Sequence, residues 1–211
     1  MDPGLNQLLK WSVANSPHSI NDSSVARTSQ RELNPNAINA LFGGVSDAEL
    51  MVSSMAVIRS SDPQVSLEDR IVAFDNFEQL IESLDNANNL EPTDLWSPLL
   101  ECLDHKEGEI RMMAAWCVGT AVQNNRKSQE ILANKGGLPK LLCLATSSHE
   151  NTKTQRKAVY ALSSACRNYQ PAMDLLISGL QKMGRDQKAV DASDMDACDE
   201  LMNSLRHNVA K

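Results

Sequence analysis

Between Glu109 and Asn125 the apolar positions recur at helical spacing. Ile110, Ala114, Cys117, Val118, Ala121 and Val122 share one side, and Trp116, Thr120 and Gln123 share another at i, i+4, i+7. The first side is dominated by small residues, so this helix must lie close to neighbours on both flanks. The neighbours are in the chain. Arg70–Leu84 and Gln155–Asn168 carry the same pattern, so that Ala73, Ala114 and Ala158 align, as do Phe77, Val118 and Leu162, and Leu80, Ala121 and Ala165. The aligned alanines lie 41 and 44 residues apart.

A repeat in the low forties with only helix signals predicts a helical solenoid of armadillo or HEAT type. The intervening stretches repeat too. Trp96–Leu103 aligns with Leu138–Ala145, and Ser128–Ala133 and Pro171–Ile177 are expected as short first helices. Gly136-Gly137 predicts a corner. Three helices per repeat favours armadillo. The expected class is all-α: an armadillo-like, right-handed helical solenoid of about three repeats with helical capping extensions.

Four regions are expected. Residues 1–16 hold a short amphipathic helix whose apolar residues include Leu8, Leu9 and Trp11, residues 17–45 a linker rich in Ser, Asn and Arg, residues 46–183 the repeats, and residues 184–211 an extension with one helix. Asp47–Arg59 is expected to cap one end of the stack, and Ser66 with Glu68-Asp69 to start the first long helix. Ser193–Asp196 resembles a capping box, and the helix after it is expected to close the other end.

Composition narrows the function. Aromatics are 4% and the net charge is −7, which argues against nucleic acid and anionic membrane as partners. The charge is uneven. From 46 to 110 there are fifteen acidic residues against Arg59, Arg70 and Lys106, and from 111 to 167 nine basic residues against Glu130 and Glu150. Such a dipolar surface would orient a large protein partner. Cys102, Cys117, Cys143, Cys166 and Cys198 stand singly and are expected as buried or partly buried free thiols in a reducing compartment. His105 follows Cys102 by three residues, but no second pair completes a metal site. Signal peptide, membrane span and catalytic signature are all missing from the sequence, so no catalytic residue, cofactor or metal is expected. The expected location is cytoplasmic and the expected state a monomer.

If the long helices line the inner curve, their polar stripes form a protein-binding surface: Asp75, Gln79 and Glu82; Trp116, Thr120 and Gln123; Tyr160, Ser164 and Arg167. A peptide-binding armadillo adaptor is the alternative, but such adaptors carry Asn where this chain has Gln79, Thr120 and Ser164.

Several segments together resemble one family: Leu8–Ser16, Leu41–Gly44, Ser54–Ile58, Ala73–Asn89 and Gly119–Asn125. They resemble the fungal Fes-type armadillo nucleotide exchange factors, relatives of the animal heat-shock-protein-binding proteins. The resemblance covers about residues 5–180. It implies a factor that binds the nucleotide-binding domain of seventy-kilodalton heat-shock chaperones, embraces one lobe and speeds ADP release. It also implies a mobile N-terminal segment that helps eject clients, for which Leu8, Leu9 and Trp11 are suited. The chain departs from the longer members by stopping after about three repeats, with a tail from Gly184 outside the pattern.

Overall fold

The computed structural model describes residues 44–208. The amphipathic helix expected at 1–16, with Leu8, Leu9 and Trp11, lies outside these residues, as does nearly all of the linker. The unit from Asp47 onward contains ten α-helices, and the described residues contain no strand.

In chain order these are α1 (Asp47–Ile58), α2 (Leu67–Ile81), α3 (Leu84–Asn89), α4 (Trp96–Glu101), α5 (Gly108–Val122), α6 (Arg126–Asn134), α7 (Gly137–Thr146), α8 (Thr152–Cys166), α9 (Gln170–Lys182) and α10 (Met195–Asn208), with a 3₁₀ turn at Cys102–Asp104 after α4. Two complete three-helix sets, α3–α5 and α6–α8, form the middle. Partial sets flank them, α1–α2 on one side and α9–α10 on the other. The long helices α2, α5 and α8 pack in that order, and α10 packs on α8.

The aligned positions make this stack. Ala73, Ala114 and Ala158 are buried, as are Phe77, Val118 and Leu162. α5 is enclosed almost all round, burying Met113, Ala115 and Gly119 beyond the expected face. Its small residues are what allow that closeness. A Cβ on Gly119 would sit 2.5 Å from Cε1 of Tyr160 and 3.1 Å from Cα of Ala161, so α5 and α8 meet at the distance a hydrogen atom permits.

The corners follow from local chemistry. Ser66 and Asp69 form a reciprocal capping box at α2: Ser66 Oγ accepts from the Asp69 amide at 3.1 Å, and Asp69 Oδ2 accepts from the Ser66 amide at 2.9 Å. The Ser66 hydroxyl, which also donates to Asp69 Oδ2 at 2.7 Å, and the Ser66 amide hold the Asp69 carboxyl below the usual carboxylate range. Asn125 and Asn151 cap α6 and α8 through their side-chain oxygens. Gly136 turns the α6–α7 corner with φ of 72°. Its neighbour Gly137 is required for space, because a Cβ there would overlap Leu132. Asp94 takes the left-handed turn in the preceding set, and Asn124 and Asn168 take it at the ends of α5 and α8.

Three details differ from the expectations. α6 and α9 extend beyond Ser128–Ala133 and Pro171–Ile177, with α9 reaching 13 residues. The cap of α10 is Asp194, whose Oδ1 accepts from the Ala197 amide at 3.0 Å. Ser193 turns its hydroxyl to Asp191 instead, at 2.7 Å. Finally, Cys143 on α7 is exposed, whereas Cys102, Cys117, Cys166 and Cys198 are buried as free thiols. α10 buries Cys198, Leu201, Met202 and Leu205, so a helix that begins outside the repeat pattern still seals the apolar end of the stack.

Candidate functional site

α2, α5 and α8 together present a trough, with α5 between the other two. Trp116 and Tyr160 divide it into connected recesses. One, toward the helix C-termini, is lined by Glu78, Glu82, Trp116, Thr120, Gln123, Asn124 and Tyr160. The middle one is lined by Met112, Trp116, Lys153, Arg156, Lys157 and Tyr160. A third, toward the helix N-termini, has Leu67, Ile71 and Met112 among its walls.

Side chains at the centre hold one another. The Tyr160 hydroxyl donates to Gln123 Oε1 at 3.0 Å, while its ring lies against Gly119. The Thr120 hydroxyl donates to Oε1 of Glu78 at 2.7 Å, which satisfies a carboxylate that is itself buried. Lys157 places its ammonium 3.3 Å above the Trp116 ring centroid and 5.9 Å from that of Tyr160. Burial lowers the Lys157 pKa, and the negative charge of Glu78 opposes the shift. Trp116 is half-buried and packs against the core, with part of the ring left to the trough.

Of the nine residues expected on the inner stripe, Glu82, Trp116, Thr120, Gln123 and Tyr160 meet in one recess. Asp75 and Gln79 are exposed on α2. Ser164 is half-buried, and its carbonyl accepts from Gln129 at 2.9 Å. Arg167 turns away from the trough: its guanidinium bonds Ser163 Oγ at 2.9 Å and Asp199 Oδ1 at 2.5 Å, docking α10 onto α8. The residues missed were Ile71, Met112 and Arg156, each four positions before the first member of a triplet, and Lys157 beside them. Continuing the stripe one helical turn toward the N-terminus would have found the first three.

The chain was compared with known proteins. Residues 5–90 match the family model described as nucleotide exchange factor Fes1, and residues 86–189 match the SIL1/FES1/HPBP1 C-terminal domain. A Gibberella zeae protein, Hsp70 nucleotide exchange factor FES1, is 56% identical over 211 residues, covering 100% of this chain and 99% of the other. The chain belongs to the Fes1 family. A Neurospora crassa protein of the same description is 45% identical, with 98% of each chain covered. The Kluyveromyces lactis FES1 is 42% identical over 90% of this chain but only 65% of its own length, so the Fes1 family includes chains of this length and longer ones. The crystal structure of an engineered protein shares the helical fold, with a TM-score of 0.53 at 16% identity over 83% of this chain and 66% of that one. No described helix is long and apolar enough to cross a membrane.

Proposed function

We propose that this chain is an Hsp70 nucleotide exchange factor: it binds the nucleotide-binding domain of the chaperone and accelerates release of ADP. The observation that carries this is the 56% identity, end to end, with a protein described by that activity. The trough is the surface we assign to the chaperone, with Trp116 and Tyr160 at its centre and Glu82, Thr120 and Gln123 beside them. Aromatic rings partly open to solvent and ringed by polar groups are the usual anchors of a protein interface.

The mechanism needs no bond made or broken by this chain. It binds the open, nucleotide-poor chaperone more tightly than the closed one, and so shifts the population toward the state that loses ADP. A hundredfold effect requires about 2.7 kcal/mol of differential binding. The tightly stacked row of α2, α5 and α8 supports that reading, because a surface that yields to both states discriminates neither. The segment before the solenoid, with Leu8, Leu9 and Trp11, is proposed to aid client release. The site of action is proposed to be the cytoplasm, where five free thiols stay reduced, and the active form a monomer.

Stopped-flow release of fluorescent ADP from an Hsp70 tests the reading. Acceleration that saturates with the concentration of this chain is expected. A folded sample that leaves the release rate unchanged overturns the assignment.

A further inference from the structure

The charges of this chain fall into two groups. Five ion pairs join parts of the described chain: Arg59–Glu101, Arg111–Glu150, Lys135–Glu91, Lys140–Asp104 and Arg167–Asp199. Each bridges residues at least 32 positions apart, so most of the available long-range pairing serves to fasten one set to the next. The charges that border the trough take no part in it. Asp75 on α2 and Glu82 at its C-cap are exposed, as are Lys153 and Arg156 on α8, and none of the four belongs to an ion pair.

Geometry explains why they do not neutralise each other. α5 lies between the two helices, and two helix–helix spacings amount to about 16–20 Å. That exceeds the screening length of about 8 Å in physiological salt; Glu78 and Lys157, whose side chains turn onto α5, are the pair that sense each other across it. Along its middle and C-terminal part the helix in between contributes Met112, Trp116, Thr120 and Gln123 to the trough, none of them charged, while Glu109 lines the trough at its N-terminal end. From Met112 to Gln123 the trough thus has an acidic wall, an uncharged floor and a basic wall.

We infer that the trough reads the polarity of its partner across its width. The surface it fits carries basic groups over α2 and acidic groups over α8, about two helix widths apart, with apolar or neutral contact along α5. The two walls then fix which way round the partner sits, and they attract it during approach. This deepens the proposed function and rests on it, by specifying the chemistry of the chaperone surface that the trough engages. It differs from simple attraction by net charge. For a partner read only through the overall −7 of this chain, removing acidic charge and removing basic charge must change association in opposite directions. For a partner read by polarity, both changes act the same way.

The experiment measures association of the full chain with the isolated, nucleotide-free nucleotide-binding domain of an Hsp70. It compares the wild type with Asp75→Lys/Glu82→Lys and with Lys153→Glu/Arg156→Glu. All four positions are exposed, and two of the introduced charges suit the adjoining helix ends, Lys at position 82 at the C-cap of α2 and Glu at position 153 in the first turn of α8. At about 0.05 M salt each pair is expected to slow association about 3- to 10-fold, and at about 0.5 M to approach the wild-type rate. Slowing by one pair and acceleration by the other overturns the inference in favour of net charge. Wild-type rates from both pairs at low salt overturn it as well, while leaving the exchange reading intact. If the wild type itself does not associate, the exchange reading falls and takes this one with it.

Discussion

Gly119→Ala puts the close approach of α5 and α8 to a quantitative test. Two terms of similar size oppose each other. Alanine in the middle of a helix is worth about 0.8–1.0 kcal/mol over glycine. Against it, the new methyl would lie 2.5 and 2.6 Å from two ring carbons of Tyr160 and 3.1 Å from the Cα of Ala161. The ring could swing toward the trough, but that breaks its hydrogen bond to Gln123. The backbone of α8 has no such escape. Overpacking of this kind typically costs about 1–3 kcal/mol, and an exposed hydrogen bond about 0.5 kcal/mol. The sum is a net loss of about 0.5–2.7 kcal/mol. Urea unfolding of the two proteins measures it, read as a lower midpoint at unchanged slope. A cycle with Tyr160→Ala separates the causes. Without the ring, Gly119→Ala should become neutral or mildly stabilising, leaving a coupling of about 1 kcal/mol or more. A Gly119→Ala protein more stable than the wild type in the presence of Tyr160 would refute the reasoning, because helix propensity would then outweigh the contact.

Other expectations are simpler. Trp116→Ala should weaken chaperone binding at least about tenfold while costing only about 1–2 kcal/mol of stability, since the ring is half-buried; titration calorimetry beside thermal unfolding separates the two, and a loss confined to stability would make the ring a packing residue only. Deleting residues 1–36 should leave ADP release unchanged and slow client release, followed with a fluorescent peptide; loss of exchange activity would contradict that division. Of the five thiols, Cys143 should react with a thiol reagent at once and the other four only on unfolding, which a timed titration under native conditions reads directly. Burial pushes the Cys102 thiol up to about 11 from 9.0. The unfolded chain therefore releases this proton first, and the contribution of Cys102 to stability should fall as pH rises from about 9 to about 11. Cys102→Ala should flatten that part of the stability curve, and an unchanged slope would argue against it.

The row of long helices was readable because burial there is dictated by spacing alone. Ala73, Ala114 and Ala158 sit where helices cross, and only small residues suit such points. Gly136-Gly137 and Ser66 were readable for the same reason: a left-handed turn, a crowded backbone and a helix N-terminus each demand particular side chains. α3 was harder, since Asp-Asn-Ala-Asn-Asn has little helix propensity, and its buried Asn86 and Ala87 are held by the stack around them. Asp194 caps α10 in place of Ser193, and the sequence could not separate them because both are good caps and the choice depends on Asp191, which engages the Ser193 hydroxyl. In the trough, the i, i+4, i+7 stripe found Trp116, Thr120 and Gln123. It could not show that Arg167 is taken by Asp199, 32 residues away, nor that Lys157 lies over Trp116. The first depends on α10, which lies outside the repeat; the second depends on which way one side chain turns between two repeat helices, and periodicity carries neither.

The central claim is that this chain lowers the hold of Hsp70 on ADP by preferring the nucleotide-poor chaperone. Linkage makes the effect reciprocal in binding free energy. The most direct measurement is therefore the affinity of the full chain for the isolated Hsp70 nucleotide-binding domain, by titration calorimetry, without nucleotide and with saturating ADP. The account predicts weaker binding in ADP, by the same factor by which the chain weakens ADP binding; a hundredfold factor corresponds to about 2.7 kcal/mol. Equal affinity under the two conditions would contradict it, because a ligand that binds both states alike shifts neither.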